Sequence, residues 1–269
     1  MSDAPRTEAR NPRAGRLGTA TTRQILELMN DEDAMVAAAV REALPEIERA
    51  VEAIVTAIAA GGHVRYVGAG TSGRLGVLDA SEAPPTFGVT PDLFQGIIAG
   101  GDVALRSAVE GAEDSADAGR DDIRAVLVPH DVIVGISASG RAPYVLGALD
   151  AAQGIALATV GISCVAGSAL AAAADIPIVV DVGPEVVAGS SRLKAGTATK
   201  LVLNMLSTAA MIRSGRTKGD LMIDVRATNE KLRARAIGMV RDELGVSDDD
   251  ARARLEAAGW SVRRAIAPQ

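Results

Sequence analysis

Cysteine occurs once in this 269-residue sequence, as Cys164, and histidine twice, as His63 and His130. An internal disulfide is therefore excluded, and a zinc site built from His and Cys lacks the ligands it needs. Aromatic residues make up 2% of the chain, which removes the platforms on which nucleic-acid bases stack. Basic charge is also short: 28 Lys and Arg stand against 34 Asp and Glu, a net charge of −6, and they are scattered. Such a chain has no field for a polyanion, so no nucleic-acid partner is expected and any bound anion is small and locally held. Long apolar runs are missing. The stretches at 51–60 and 201–212 fall short of the roughly 20 residues that span a bilayer, and no apolar segment follows the first residues as in a secretory signal. These absences imply a soluble, reduced, cytoplasmic protein with no membrane partner.

What the chain has is aliphatic. Hydrophobic residues form 48% of it, enough for one large α/β domain with helical additions. Residues 1–20 read as a polar arm. From 22 to 60 the pattern is helical, first with Ile25, Leu26 and Met29 on one stripe. Val36, Val40, Leu44, Ile47, Val51, Ile54 and Ile58 then form a second stripe, which Gly61 and Gly62 end. Five short apolar segments follow, at 64–67, 95–99, 132–136, 157–162 and 176–182, without polar alternation. Helical stretches at 73–82, 102–112, 141–152 and 167–173 separate them. That order predicts a parallel sheet with helices on both faces, a three-layer α/β fold. A long helix is expected over 190–213, and a small helical segment over 247–267. The domain reading is 1–52 for the arm and first helices, 53–216 for the ligand-binding domain, and 217–269 for a short C-terminal helical segment.

Two loops echo each other. The first predicted strand runs into Gly68-Ala69-Gly70-Thr71-Ser72-Gly73-Arg74, the third into Ser137-Ala138-Ser139-Gly140-Arg141. Both end Ser-Gly-Arg and both lead into a helix. At the carboxyl edge of a parallel sheet they would present helix N-termini, close-approaching glycine backbone and hydroxyl donors to one phosphate. Helix capping is the plainer use of Ser and Thr there, but two matching loops at one edge favour a phosphate site. The first loop also fits G-x-G-x-x-G, yet the second strand runs into Gly100 and Gly101 where a dinucleotide site wants an acid. A serine triad fails as well, because His63 and His130 precede strands and belong to the opposite edge. Acid–base work then falls to carboxylates, Lys or Tyr. The candidate carboxylates are Asp79 and Glu82, the cluster Glu110, Glu113 and Asp114, and Glu185.

At these residues the sequence resembles the N-acetylmuramic acid 6-phosphate etherases of the sugar isomerase (SIS) domain family. The resemblance lies in Thr7-Glu8-Ala9-Arg10-Asn11-Pro12, in 68–74, in Leu78-Asp79-Ala80-Ser81-Glu82 and in Pro84-Pro85-Thr86-Phe87-Gly88. It continues in 109–114, 136–141, 143–145, 189–197 and 227–231. It implies a flavodoxin-like SIS domain and cleavage of the D-lactyl ether of a sugar phosphate by elimination then hydration, with no metal or organic cofactor. It also implies a homodimer. The family's two acids fall on Glu82, expected to protonate the departing lactate and then activate water, and Glu113, expected to take the C2 proton. Ser72, Ser137 and Ser139 match phosphate-contacting positions of related sugar-phosphate folds, with Thr71 close by; Gly70, Gly73 and Gly140 are expected to belong to the same phosphate loops, and Arg192 and Lys194 to be further anion contacts. Ala142 stands where the family commonly has Thr, Ala83 where it commonly has Cys, and the C-terminal module is shorter than in many relatives. Two other functions share the fold: a non-catalytic sugar-phosphate sensor of the glucokinase regulatory type, and an aldose–ketose isomerase.

Overall fold

The computed structural model describes residues 6–225, 227 and 229–267. Residues 1–5 of the polar arm, and Thr228 of the run 227–231, lie outside them. The helical pattern of 22–60 divides into three helices: α1 (Thr22–Asp33), α2 (Val36–Glu42) and α3 (Leu44–Ala59). Thr21 and Gln24 start α1 with a reciprocal capping box. A proline in the first turn of α3 restarts the helix after Ala43, where a rigid φ suits the first positions.

The alternating region follows as β1 (Val64–Gly68), α4 (Gly70–Phe87), β2 (Phe94–Ile98), α5 (Ala116–Arg124) and β3 (Val132–Ile136). It continues with α6 (Pro143–Ala152), β4 (Ala158–Ser163), α7 (Ala169–Ala173), β5 (Ile176–Val179) and α8 (Lys194–Arg213). All five strands pair in parallel in the order β2-β1-β3-β4-β5. Successive side chains of a strand point to opposite faces, and the core divides accordingly. Tyr66, Val132 and Val134 join Ile47, Ile54 and Leu203 in the cluster under α3 and α8. Val67 and Ile133 join Ile123, Tyr144 and Leu149 under α5 and α6. The three layers read from the sequence are present.

Three expectations need correction. The helix expected over 190–213 begins only at Lys194, and residues 190–193 form a turn. No helix fills 102–112. Gly100, Gly101 and Gly111 all hold positive φ, and only 3-10 turns form there, at Gly101–Leu105 and Ala112–Asp114, before α5 begins. The helix expected over 73–82 is longer at both ends and carries Pro84 and Pro85 in its last turn, closing at a left-handed Gly88. Beyond α8 lie α9 (Glu230–Leu244), α10 (Asp248–Ala257) and α11 (Val262–Ala265), which pack Ile237, Val240, Leu255 and Val262 into a cluster of their own. Among the described residues no helix is long and apolar enough to cross a membrane.

Candidate functional site

The sheet order reverses between β1 and β3, whose ends lie side by side with Gly68 in register with Ile136. Loops leaving neighbouring strands at such a point diverge to opposite faces and leave a crevice between them. Here the crevice is a cleft of about 270 Å³, near the low end of small-molecule sites, roughly 300–1,000 Å³. That is the scale of a single sugar. Gly70, Thr71 and Ser72 line one wall, and Ser137, Ser139 and Ala142 the other. Glu113 enters from the 3-10 turn before α5, and Ser191 and Gly189 from the loop ahead of α8. A neighbouring hollow of about 200 Å³ shares Gly70 and Glu113 and reaches Arg74 and Glu110. A larger hollow, about 670 Å³, lies on the C-terminal helices around Arg233 and Arg252, away from both loops.

The helix ends at the cleft are bare. Side chains cap α1, α5, α7, α9, α10 and α11 by accepting a backbone N–H. Neither α4 nor α6 has such a cap. Among the described residues, the hydroxyls of Thr71, Ser72 and Ser137 bond no protein group, and Ser139 Oγ accepts only a long contact, 3.4 Å, from the Arg141 N–H. The capping use of these residues is thereby set aside, and their donors remain open to a ligand. No Lys or Arg among the described residues lines the cleft. An anion there would be held by neutral hydroxyls, backbone N–H groups and two helix dipoles.

The remaining candidate residues divide sharply. Gly73 is buried behind the loop: a Cβ there would lie 2.6 Å from the Ile98 side chain and 2.7 Å from the Gly68 carbonyl. It allows α4 to press against the sheet and does not line the cleft. Gly140, at φ 66, likewise packs against Ser168, and its carbonyl accepts from the Leu170 N–H at 2.9 Å. Arg192 is exposed and outside the lining. The expectation for Lys194 is overturned. The residue is 2% exposed, and its ammonium donates to Glu32 at 2.5 Å. A desolvated ammonium committed to a buried carboxylate is not available to an anion elsewhere.

Glu82 stands apart. It is exposed on α4 and makes no hydrogen bond or ion pair with the other described residues. Twelve residues separate it from Gly70 on that helix, about 18 Å at the rise of an α-helix. The cleft of one chain therefore holds Glu113 without Glu82.

Two other candidate acids are structural. Glu185, 1% exposed, accepts the backbone N–H groups of Lys194 at 3.1 Å and Ala195 at 2.9 Å, closing the N-terminus of α8. Asp79 accepts from Tyr66 at 2.9 Å, Asn204 at 2.7 Å and Ser207 at 3.1 Å, tying α4 to β1 and α8. Burial pushes its carboxyl up, against the pull of those three donors. The histidines sit as read. His63 bonds Asp131 at 2.9 Å at the opposite sheet edge, beside Arg65.

Two cleft residues escape a reading of loops and acids: Thr7 and Glu8, from the polar arm. The Thr7 carbonyl accepts from the Gly189 N–H at 3.2 Å. Asn11 then donates to Glu32 at 2.9 Å and to the Pro184 carbonyl at 3.1 Å, and so seats the arm. The run Thr7-Glu8 within the family resemblance was the one signal for them.

A family model described as the glucokinase regulatory protein N-terminal SIS domain matches residues 46–153. The chain is 53% identical over 261 residues to an N-acetylmuramic acid 6-phosphate etherase of Jannaschia sp. (strain CCS1), covering 97% of this chain and 83% of that protein. It is also 53% identical to N-acetylmuramic acid 6-phosphate etherase 2 of Vibrio parahaemolyticus serotype O3:K6 (strain RIMD 2210633), covering 97% and 87%. A solved phosphoheptose isomerase from Francisella tularensis superposes with a TM-score of 0.55 at 22% identity, over 70% of this chain and 98% of that one. That likeness is one of fold alone.

Proposed function

The chain belongs to the N-acetylmuramic acid 6-phosphate etherase family, and on that footing we propose how its cleft performs the reaction. The enzyme cleaves the D-lactyl ether of N-acetylmuramic acid 6-phosphate, giving N-acetylglucosamine 6-phosphate and D-lactate, in the recycling of cell-wall amino sugars. The observation that carries our reading is the convergence of two uncapped, hydroxyl-lined loops and Glu113 on one sugar-sized cleft. The 6-phosphate sits between Thr71, Ser72, Ser137 and Ser139, against the N-termini of α4 and α6. Anchoring one end of the sugar holds its reacting carbons at a fixed place, which is where much of an enzyme's advantage over solution arises.

The chemistry follows from the open-chain aldehyde. Its C2 proton is α to a carbonyl, and Glu113 removes it as general base. The resulting enolate expels the lactyl oxygen from C3, the β position, and that oxygen leaves better when protonated. Water then adds to the unsaturated aldehyde at C3. Glu82 supplies the proton and later activates the water, and we assign that role to the Glu82 of a second copy. Its exposure, its lack of a partner and its place beside the half-exposed Leu78 on α4 support a homodimer in which α4 approaches the neighbouring cleft. The working compartment in this reading is the cytoplasm.

Incubation with N-acetylmuramic acid 6-phosphate and an assay for D-lactate tests the reading at once. The match to the regulatory SIS domain favours a sensor as second reading; a sensor releases no lactate, nor does an isomerase.

A further inference from the structure

The cleft contains a carboxylate that neither proton transfer above employs. Glu8 lines the wall formed by the arm and the loop ahead of α8, close enough to Gly189 that a Cβ added there would fall 2.8 Å from Glu8 Oε2. Among the described residues it makes no hydrogen bond or ion pair. Glu8 is exposed on this wall, and a negative charge beside a phosphate site opposes phosphate binding, so a use in this cleft would lie with other atoms of the ligand. The arm is also fastened with some care for a polar segment. Arg6 pairs with Asp181, the Thr7 carbonyl with Gly189, and Asn11 with Glu32 and Pro184. Ordering such a segment costs conformational entropy, and four contacts offset it around Thr7 and Glu8. An independent sign of a ligand stands next door. Thr7 is 4% exposed, lines the same cleft, and its buried Oγ1 has no partner among the described residues. Buried polar atoms in native proteins are nearly always satisfied, and a sugar hydroxyl would satisfy this one after a small shift of the arm.

The elimination requires an open-chain aldehyde, whereas a hexosamine 6-phosphate in water is a closed ring. Three proton tasks therefore exist: at the anomeric centre, at C2 and at the C3 oxygen. We propose that Glu8 performs the first and is the ring-opening residue of this enzyme. This rests on the etherase reading above. One carboxylate oxygen of Glu8 takes the proton from O1, the C1–O5 bond breaks as the C1=O1 bond forms, and the electron pair passes to O5. The proton is then returned to O5 by the same carboxyl group, so atoms and charge balance with no further reactant. O1 and O5 share one carbon, and their spacing matches that of the two oxygens of a carboxylate, which serves as base at one and acid at the other. Thr7 Oγ1 holds a neighbouring hydroxyl and fixes the ring against the arm.

The experiment uses N-acetylglucosamine 6-phosphate, which keeps the anomeric centre and lacks the ether. Exchange between its α and β anomers is followed by magnetisation-transfer NMR with catalytic amounts of enzyme. Wild-type protein accelerates the exchange, and Glu8→Gln loses at least about tenfold of that acceleration, a modest share of what general acid–base groups contribute. Lactate release falls in parallel. Hydration of the open-chain 2,3-unsaturated aldehyde, prepared by base-promoted elimination, needs no ring opening and stays within about twofold in Glu8→Gln, well inside the effect of losing an acid–base group. The assignment is overturned if wild-type protein does not speed anomer exchange, if Glu8→Gln speeds it equally, or if hydration drops as far as lactate release. Absence of lactate from the wild-type protein would instead sink the etherase reading, so the two failures are distinct.

Discussion

Lys194 and Glu32 meet at 2.5 Å across 162 positions of sequence, each side chain less than 5% exposed. The pair joins the first turn of α8 to the end of α1, and Asn11 of the arm bonds the same carboxylate. Removing one partner of a buried pair leaves an uncompensated charge, at a cost of roughly 3–5 kcal/mol. Lys194→Met is expected to lower urea unfolding stability by that amount, and Lys194→Met with Glu32→Leu to recover much of it. If phosphate contact were instead the role of Lys194, the single variant would lose substrate affinity at unchanged stability.

The same pair gives an acid limb. Burial pushes the Glu32 carboxyl up, but the hydrogen bond and charge of Lys194, with Asn11 and Arg13, hold it below its ordinary value. Arg263 does the same to Asp224 in the C-terminal segment. Carboxyls lowered on folding contribute stability above their unfolded value and lose it as pH falls through the folded one. Unfolding free energy should therefore decline below the ordinary carboxylate range, less steeply in the Lys194→Met, Glu32→Leu double variant. Equal slopes would remove Glu32 from the account.

Ser72 and Ser137 face each other across the cleft with uncommitted hydroxyls. A hydrogen bond to a charged group contributes about 1.5–3 kcal/mol. Ser72→Ala and Ser137→Ala should each raise KM for the sugar phosphate by roughly ten- to a hundredfold, with little change in melting temperature. An unchanged KM in both would place the phosphate elsewhere.

Assignment of Glu82 to a second copy is checked by mixing two inactive variants. Glu82→Gln and Glu113→Gln are each expected to release no lactate. A symmetric dimer with shared sites, reassembled from equal amounts of both, carries one intact site in each mixed dimer, about a quarter of wild-type activity. Sites complete within one chain would stay dead on mixing.

Cys164 is buried, and burial, with Glu185 and Asp181 nearby, pushes its thiol up to about 12. Thiolate is the reactive form, so iodoacetamide should label the native protein on the order of a thousandfold more slowly than the unfolded chain. Labelling at equal rates would mean the β4 end opens freely.

Much of this architecture was legible from local pattern. The strands announced themselves because both faces of the sheet are covered, and the repeated Ser-Gly-Arg marked the two loops before any contact was known. Other features depend on partners far away in the sequence. Lys194 looks like a surface cation until Glu32 is brought to it. Glu185 looks like a free acid until the first turn of α8 folds onto it. Glu8 belongs to a polar arm whose composition promises no structure, and its position is set by Gly189, Asn11 and Glu32 together. The false helix at 102–112 had acceptable apolar spacing, but Gly100, Gly101 and Gly111 take left-handed backbone that no helix continues.

The bare ends of α4 and α6 carry a consequence for handling the protein. Their like partial charges face one another across the crevice, so a phosphate held there as proposed would relieve their repulsion. If the cleft holds the 6-phosphate as proposed, a small oxyanion in the buffer should serve as a stabilising occupant, by mass action, and as a competitor of substrate. Preparations kept in phosphate should melt higher and turn over more slowly than those kept in a bulky organic buffer, with one concentration scale governing both effects.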